Sequence, residues 1–247
     1  MYAKMKIKLE NNEVSFWQSS NLQGIIMENI DTNYAEKLHG NQLNPYSQYI
    51  TKENGNPIWH IHTYTEEAYE NIILPMQKLQ EITIRKKDLR VKIGGKELTT
   101  CMEKELIDEF YTEDCPKYLN ISFLTPTSFK QDGKYVIYPD LKLIYGSLMR
   151  KYSAASETMD MIDENTLTEL TEHSEIIRYR LQTVPFPVEK VRIYGFTGSI
   201  GIRVNGPETL ARYIRLLLKF GEYSGVGIKT GIGMGAIEYN GGRRKND

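Results

Sequence analysis

The sequence predicts an α+β protein made of two tandem βαββαβ units with a glycine-rich loop near the carboxyl end. Three observations predict it. Each half of the chain reads as strand, helix, hairpin, helix and strand. The length of 247 residues suits two small domains. Six of the 19 glycines fall in residues 221–235. This element order is ferredoxin-like (RRM-like), and it divides the chain into domains of residues 1–95 and 96–247.

Hydrophobic periodicity predicts the elements of the first half. Leu22, Ile25, Ile26 and Ile30 recur at the spacing of an amphipathic helix. The sequence ENGNP between two β-rich stretches indicates a hairpin, and GGKE indicates a turn. The predicted elements are strand Met5–Leu9, helix 20–38, strands Tyr46–Thr51 and Ile58–Tyr64, a helix from Thr65 to Leu79, and strands Ile82–Ile84 and Leu89–Ile93.

The second half repeats the pattern. Its last helix begins after Pro207, and Gly221 lies just past its last apolar position, which is the usual punctuation of a helix. The predicted elements are strands Lys117–Leu124 and Tyr135–Tyr138, helices Asp140–Lys151 and Glu164–His173, strands Glu175–Thr183 and Lys190–Val204, the helix after Pro207, and a final strand Ile232–Tyr239.

Composition excludes several classes of protein. The chain is 40% hydrophobic and 26% charged, as in ordinary globular domains. No apolar run approaches the roughly 18 residues of a membrane span, and the start of the chain lacks the apolar segment of a signal peptide. The two cysteines, Cys101 and Cys115, form no CxxC pattern, which argues against a disulfide scaffold and a cysteine zinc site. We therefore expect a cytoplasmic protein without membrane contact.

The formal net charge of −1 conceals an uneven distribution. Residues 151–173 hold one basic residue against six acidic ones, and residues 174–247 hold twelve against six. Their local charges are −5 and +6, which leaves −2 for the first 150 residues. A basic final third beside an acidic segment suits a protein with one anion-binding surface. Ordinary solvated faces would produce the same imbalance.

The segment GEYSGVGIKTGIGMG, residues 221–235, has two interpretations. Glycine permits positive φ and close backbone approach, so such a loop can present N–H groups to phosphates. It is not a Walker loop, because Ile228 precedes Lys229 where that motif needs glycine. The alternative is a strained connection between a helix and a strand.

Arg212, Arg215 and Lys219 lie at positions i, i+3 and i+7 of the preceding helix and form one stripe. The stripe either contacts phosphates or is a solvated face that Glu208 partly neutralises.

Histidines are the candidate acid–base groups. His60 and His62 alternate on a strand, but two ligands without a third favour a structural role over a metal site. His39 ends the first helix, near Tyr34, Lys37 and Lys52 in the sequence, and such a histidine can transfer protons near neutral pH. A helix C-cap is the other reading of His39.

Four segments carry a resemblance to a known family. They are LHGNQLNPYSQYI, FLTPTSFKQDGKYVIYPDLKLIYGSLMRKY, VRIYGFTGSIGIRVNG and GEYSGVGIKTGIGMG. The chain resembles CRISPR-associated precursor-RNA processing endoribonucleases, the repeat-cleaving branch of the RAMP superfamily, and most closely those of type III systems. The segments follow the family order from about residue 22 to 239, nearly the whole chain.

The resemblance implies two ferredoxin-like domains that bind CRISPR repeat RNA, both precursor and processed guide RNA, across a basic face. It also implies metal-independent cleavage in which the substrate 2′-hydroxyl attacks the adjacent phosphate, so that no cofactor and no metal are needed. His39 matches the catalytic histidine of the family. Tyr34 and Lys52 are the candidate companions, with Lys37 or Tyr46 as substitutes.

By the same resemblance, the glycine-rich segment and the preceding helix would bind RNA. The residues are Gly225, Gly227, Lys229, Thr230, Gly231, Gly233 and Gly235 in the loop, and Arg212, Arg215 and Lys219 in the helix. The resemblance leaves open a transient contact with a type III effector complex and a homodimer. One alternative function is a non-catalytic RAMP subunit that holds guide RNA in an effector complex. Another is a small-molecule enzyme that uses a metal bound at His60 and His62.

Overall fold

The computed structural model describes residues 1–85, 88–112, 114–156, 159–188 and 191–243. It contains two antiparallel sheets with helices packed on them, which confirms the predicted α+β class of two ferredoxin-like domains. None of the helices in these ranges has the length and apolar character needed to cross a membrane.

The first domain has a five-stranded sheet in the order β2-β3-β1-β5-β4. Its helices cover one face, where Met5, Ile7, Leu22, Ile26 and Trp59 are buried in a common core. Its elements are β1 Tyr2–Leu9, α1 Ser19–Asn29, α2 Thr32–Gly40, β2 Tyr46–Glu53, β3 Asn56–Thr63, the continuous helix α3 (segments Glu66–Ala68, Tyr69–Ile73 and Leu74–Lys78), β4 Glu81–Ile84 and β5 Leu89–Cys101.

Two predictions for the first domain differ from the structure. The predicted helix 20–38 is two helices, because Ile30 is extended and the Asp31 side chain caps α2 by accepting from the N–H groups of Asn33 and Tyr34. The GGKE segment is not a turn but lies inside β5, where Gly95 pairs with Lys8 of β1. The predicted domain boundary between residues 95 and 96 therefore falls inside a strand.

The second domain has a four-stranded sheet in the order β11-β6-β10-β9. Ile121, Phe123, Ile200, Ile214 and Leu217 are buried in its core. Its elements are α4 Glu103–Thr112, β6 Tyr118–Thr127, β7 Phe129–Gln131, β8 Lys134–Val136, α5 Leu141–Ala155, α6 Glu164–Glu172, β9 Ser174–Val188, β10 Val191–Val204, α7 Glu208–Ser224, a 3-10 turn Thr230–Ile232 and β11 Ile237–Arg243.

Here too the boundaries shift. Helix α7 continues through Gly221 and is capped by Gly225 at φ +63. The final strand starts at Ile237 rather than Ile232, since the chain first forms the 3-10 turn. The strand expected at Tyr135–Tyr138 is the short second arm of the β7–β8 hairpin. Helix α4 has no counterpart among the predicted elements.

The domains meet where the uncovered face of the first sheet packs on the end of α7. Ser47 Oγ donates to the Tyr223 carbonyl at 2.6 Å, and His62 Nδ1 donates to the Glu222 carbonyl at 2.7 Å. Lys4 Nζ pairs with the Glu222 carboxylate at 2.6 Å and lies over the Tyr223 ring. These contacts fix the start of the glycine-rich loop relative to the first domain.

Candidate functional site

A basic cleft lies between the segment that follows α2 and the glycine-rich loop. We define the glycine-rich loop as residues 225–235 and the cleft as the hollow of about 280 Å³ between this loop and Gln42, Leu43 and Asn44. Four basic side chains line the cleft: Lys130, Arg150, Lys151 and Lys229. Among the described residues that line it, none is acidic. The cleft therefore favours an anion.

His39 lies next to the cleft along the chain. It occupies the last turn of α2, and Gln42, three residues later, lines the cleft. Three residues span at most about 11 Å, which bounds the distance between the backbone of His39 and this edge of the cleft. The side chain is exposed, and no described residue forms a hydrogen bond to the ring. Its position also suits the negative end of the helix dipole, as the capping interpretation expects.

The structure does not bring the predicted companions of His39 into the cleft. Tyr34 is buried in the core of the first domain, and its hydroxyl has no hydrogen-bond partner among the described residues. Burial raises the pKa of Tyr34, so its hydroxyl stays protonated. Lys52 lies six residues after Tyr46 on β2, so the two residues are about 20 Å apart along the strand. Its side chain lines a different hollow, together with Thr125 and Gln182.

The two substitutes are also engaged elsewhere. Lys37 pairs with Glu67 at 2.5 Å on the surface. Tyr46 is fully buried, and its hydroxyl accepts from Gln23 Nε2 at 3.3 Å. Neither side chain lines the cleft.

The glycine-rich loop is packed tightly against its surroundings. A Cβ atom on Gly235, at φ +70, would lie 2.0 Å from the Val226 carbonyl oxygen, and one on Gly227 would lie 2.4 Å from that of Ser128. These two positions therefore require glycine, as expected for a tightly packed connection between a helix and a strand. Lys229, Thr230 and Gly231 of the loop line the cleft, and no described partner is seen for their backbone N–H groups.

Lys151 forms the buried floor of the cleft. Its Nζ donates to the carbonyls of Ser224 and Gly225 at 3.1 and 3.0 Å, and to Thr230 Oγ1 at 3.2 Å. Burial, with a smaller contribution from Arg150, lowers the pKa of Lys151 to about 7.

The stripe of Arg212, Arg215 and Lys219 does not line the cleft. Arg212 donates to the Phe110 and Tyr111 carbonyls, and Arg215 is buried and donates to the Glu109 and Asp114 carbonyls. Lys219 pairs with the Glu109 carboxylate, and Arg212 pairs with Glu208. All three cations therefore contact residues at or just after the carboxyl end of α4, where positive charge is favourable.

His60 and His62 are buried at the domain interface. His60 Nε2 is 2.7 Å from Thr51 Oγ1, and burial lowers the pKa of His60 to about 4 and that of His62 to about 3. Within the described part of the chain, no three His, Cys, Asp or Glu side chains converge as metal ligands would. The two histidines make the structural contacts that the sequence favoured.

Sequence reasoning missed three cleft residues, Lys130, Arg150 and Lys151. All three belong to the segment FLTPTSFKQDGKYVIYPDLKLIYGSLMRKY, which carried part of the family resemblance. That resemblance was the signal in the sequence from which these three residues could have been found. Lys151 was counted only as the single base of an acidic stretch.

Comparison with known proteins identifies the family. The family model described as CRISPR-associated endoribonuclease Cas6 matches residues 121–237. A Streptococcus thermophilus protein of that description is 38% identical over 216 residues, which cover 87% of this chain and 88% of the relative. A Mycobacterium tuberculosis protein of the same description is 36% identical over 219 residues, covering 87% and 69%.

Solved structures share the fold. A Cas6 product complex superposes with a TM-score of 0.82 at 21% identity, covering 97% of this chain and 99% of that one. Thermus thermophilus Cas6 gives a TM-score of 0.74 at 21% identity, covering 97% and 98%. A RAMP protein described as binding different RNA substrates gives 0.59 at 16% identity, covering 97% and 99%. The sequence relatives and the shared fold confirm the resemblance, and the chain belongs to the CRISPR-associated endoribonuclease Cas6 family.

Proposed function

We propose that this protein cleaves CRISPR precursor RNA within its repeats and thereby produces mature guide RNAs. Family membership supports the substrate class. The observation that supports the position of the site is a cleft with four basic lining residues and, among its described lining, no acidic one; this lining begins at Gln42, three residues after the exposed His39. A phosphodiester is an anion, so such a cleft favours its binding, and a nearby histidine can transfer protons.

The proposed reaction uses the RNA itself as nucleophile. The 2′-hydroxyl attacks the adjacent phosphorus, the bond from phosphorus to the 5′-oxygen breaks, and the products carry a 2′,3′-cyclic phosphate and a 5′-hydroxyl. One proton leaves the 2′-oxygen and one joins the 5′-oxygen. His39 performs one of these transfers as general base or general acid.

The cations perform the electrostatic part of the reaction. Negative charge builds up on the phosphate oxygens as the 2′-oxygen attacks, and groups held in advance around those oxygens lower the barrier. Lys130, Arg150 and Lys229 are exposed side chains of the cleft and bind these oxygens. The backbone N–H groups of Lys229, Thr230 and Gly231, for which no described partner is seen, add uncharged donors. In this proposal these groups, and not Tyr34 and Lys52, assist His39.

The test is cleavage of the cognate repeat RNA by purified protein in EDTA. We expect one discrete cut with cyclic-phosphate ends, and no cut when a 2′-deoxynucleotide stands at the cleavage site. His39→Ala should lower the single-turnover rate by roughly 10²–10⁴-fold with little change in affinity. Cleavage that requires an added divalent ion would contradict the metal-independent route.

The second candidate is a non-catalytic RNA-binding subunit of an effector complex. It shares the basic cleft but does not need His39 for proton transfer. A wild-type protein that binds repeat RNA tightly, cuts none, and is unchanged by His39→Ala would favour it.

A further inference from the structure

The buried ammonium of Lys151 joins two separate parts of the glycine-rich loop. Its three hydrogen bonds go to Ser224 and Gly225, where α7 ends, and to the hydroxyl of Thr230 in the 3-10 turn. An ammonium group has three N–H donors, and all three are used here. Both ends of the segment 225–230 are thereby hydrogen-bonded to the same ammonium group.

The charge of Lys151 is not needed to hold the loop against α5. Ser147 lies one helical turn before Lys151, on the same face of α5, and its neutral hydroxyl already accepts from the Gly227 N–H at 2.9 Å. Among the described residues, no carboxylate pairs with Lys151. Its compensation within the described part of the chain comes from neutral groups, namely the carbonyls that end α7, with their partial negative charge, and the Thr230 hydroxyl. A buried cation without a counter-ion is costly, so a neutral side chain would suit a purely structural role better.

The segment that Lys151 holds contains residues that line the cleft, Lys229 and Thr230 among them. Lys229 has a left-handed backbone at φ +58 and an exposed side chain, and its N–H group and that of Thr230 are unused by the described residues. A shift of Thr230 therefore moves the Lys229 ammonium and both backbone donors together.

We propose that Lys151 is a positioning residue for RNA cleavage, which holds the turn at Lys229 and Thr230 in place around the scissile phosphate and adds one positive charge beneath it. The inference rests on the proposed function. A misplacement of about 1 Å in such a site can cost about 10²-fold in rate, so the effect belongs in the cleavage step more than in RNA affinity.

The first test compares Lys151→Met with Lys151→Arg, and uses Lys142→Met as the matched control. Lys142 lies on the same helix but is exposed and pairs with Glu164 at 2.8 Å. We expect Lys151→Met to lower the single-turnover rate by about 10- to 100-fold, with the Kd for a 2′-deoxy repeat RNA within about threefold of the wild type. Lys151→Arg should recover most of the rate, and Lys142→Met should match the wild type.

The pH dependence separates positioning by charge from simple packing. The charged groups that line the cleft with Lys151 are Arg150 on its own helix, Lys130 on β7 and Lys229 on the loop. Because the pKa of Lys151 is about 7, its charge is lost as pH rises above neutrality. A guanidinium keeps its charge, so the rate of Lys151→Arg relative to the wild type should rise between pH 6.5 and 9. His39 is present in both proteins, so its contribution to the pH dependence of the rate cancels in this ratio. A flat ratio would contradict the role of the charge.

A second variant decides the matter if Lys151→Met does not fold. Thr230→Val keeps the shape of the side chain and removes one acceptor, so we expect a loss of rate of about 3- to 10-fold and faster amide hydrogen exchange in residues 225–231. Wild-type exchange and rate in Thr230→Val, or a folded Lys151→Met that cleaves within threefold of the wild type, would overturn the inference. If the wild type itself cuts no repeat RNA, the proposed function fails instead, and this outcome is distinguishable because it appears in the wild type before any variant is compared.

Discussion

The two histidines at the domain interface predict that the protein loses stability in mild acid. His60 and His62 are 5% and 3% exposed, and each forms one hydrogen bond through a ring nitrogen, to Thr51 and to the Glu222 carbonyl. Burial lowers their pKa values to about 4 and about 3, whereas an unfolded histidine has a pKa of about 6.5. The unfolded chain therefore binds more protons than the folded chain between these values.

The size and sign of the effect follow from this difference. Stability is complete above the unfolded pKa and is lost as pH falls below about 6.5. At pH 5 each histidine is about 1.5 pH units below its unfolded pKa, and each unit corresponds to about 1.4 kcal/mol. The two together should lower the free energy of unfolding by about 4 kcal/mol between pH 7.5 and pH 5.

The assay is urea unfolding at pH 7.5, 6 and 5. His62→Asn places an amide near the Nδ1 position and His60→Gln places one near the Nε2 position, so both variants keep a hydrogen-bonding group and remove the titration. Each single variant should lose about half as much stability as the wild type over this range, and the double variant should be almost insensitive. A double variant that loses as much stability in acid as the wild type would refute the reasoning, because other groups would then carry the effect.

Three further predictions test the remaining assignments. Arg215→Met should lower the free energy of unfolding by about 3 kcal/mol in urea titrations and leave repeat-RNA affinity unchanged, because Arg215 donates to carbonyls at the end of α4. A loss of affinity without a loss of stability would instead support an RNA-binding role for Arg215. Lys130→Met should weaken repeat-RNA binding and leave the stability unchanged, and the slope of log affinity against log salt concentration should become shallower by about 0.7 in filter binding. An unchanged slope would show that Lys130 contacts no phosphate. Gly235→Ala should lower the free energy of unfolding by about 3 kcal/mol, because the new Cβ would collide with the Val226 carbonyl and the backbone has a positive φ. Gly55→Ala, at φ +82 but with no atom near the new Cβ, should lower it by about 1 kcal/mol. Equal losses in the two variants would show that backbone strain alone determines the cost.

Local patterns in the sequence predicted most of the fold because most elements here follow their own periodicity. The strands around ENGNP and the helices after Asp140 and Asp163 appear where apolar spacing and turn residues placed them. The break between α1 and α2 also had a local signal, since Asp31 is a good N-cap residue. The two glycines of GGKE misled the prediction, because pairing with β1 overrides their weak β propensity.

The helix stripe shows the limit of such reasoning. Spacing correctly placed Arg212, Arg215 and Lys219 on one side of α7, but periodicity does not say what that side faces. Its partner, α4, lies about 100 residues earlier in the chain and is absent from the predicted elements. Helix packing, and not the stripe itself, determines that Arg212 and Arg215 donate to carbonyls at the end of α4 and that Lys219 pairs with Glu109.

The sequence by itself determined the family, the two βαββαβ units, the segment that carries His39 and the position of the glycine-rich loop. These are properties of contiguous segments, which a pattern of neighbouring residues can specify. Only the tertiary structure decided which cations share one cleft, because Lys130, Arg150, Lys151 and Lys229 come together through contacts between distant segments. Charge counted along the chain assigned Lys151 to an acidic stretch, and packing placed it on the floor of a basic cleft.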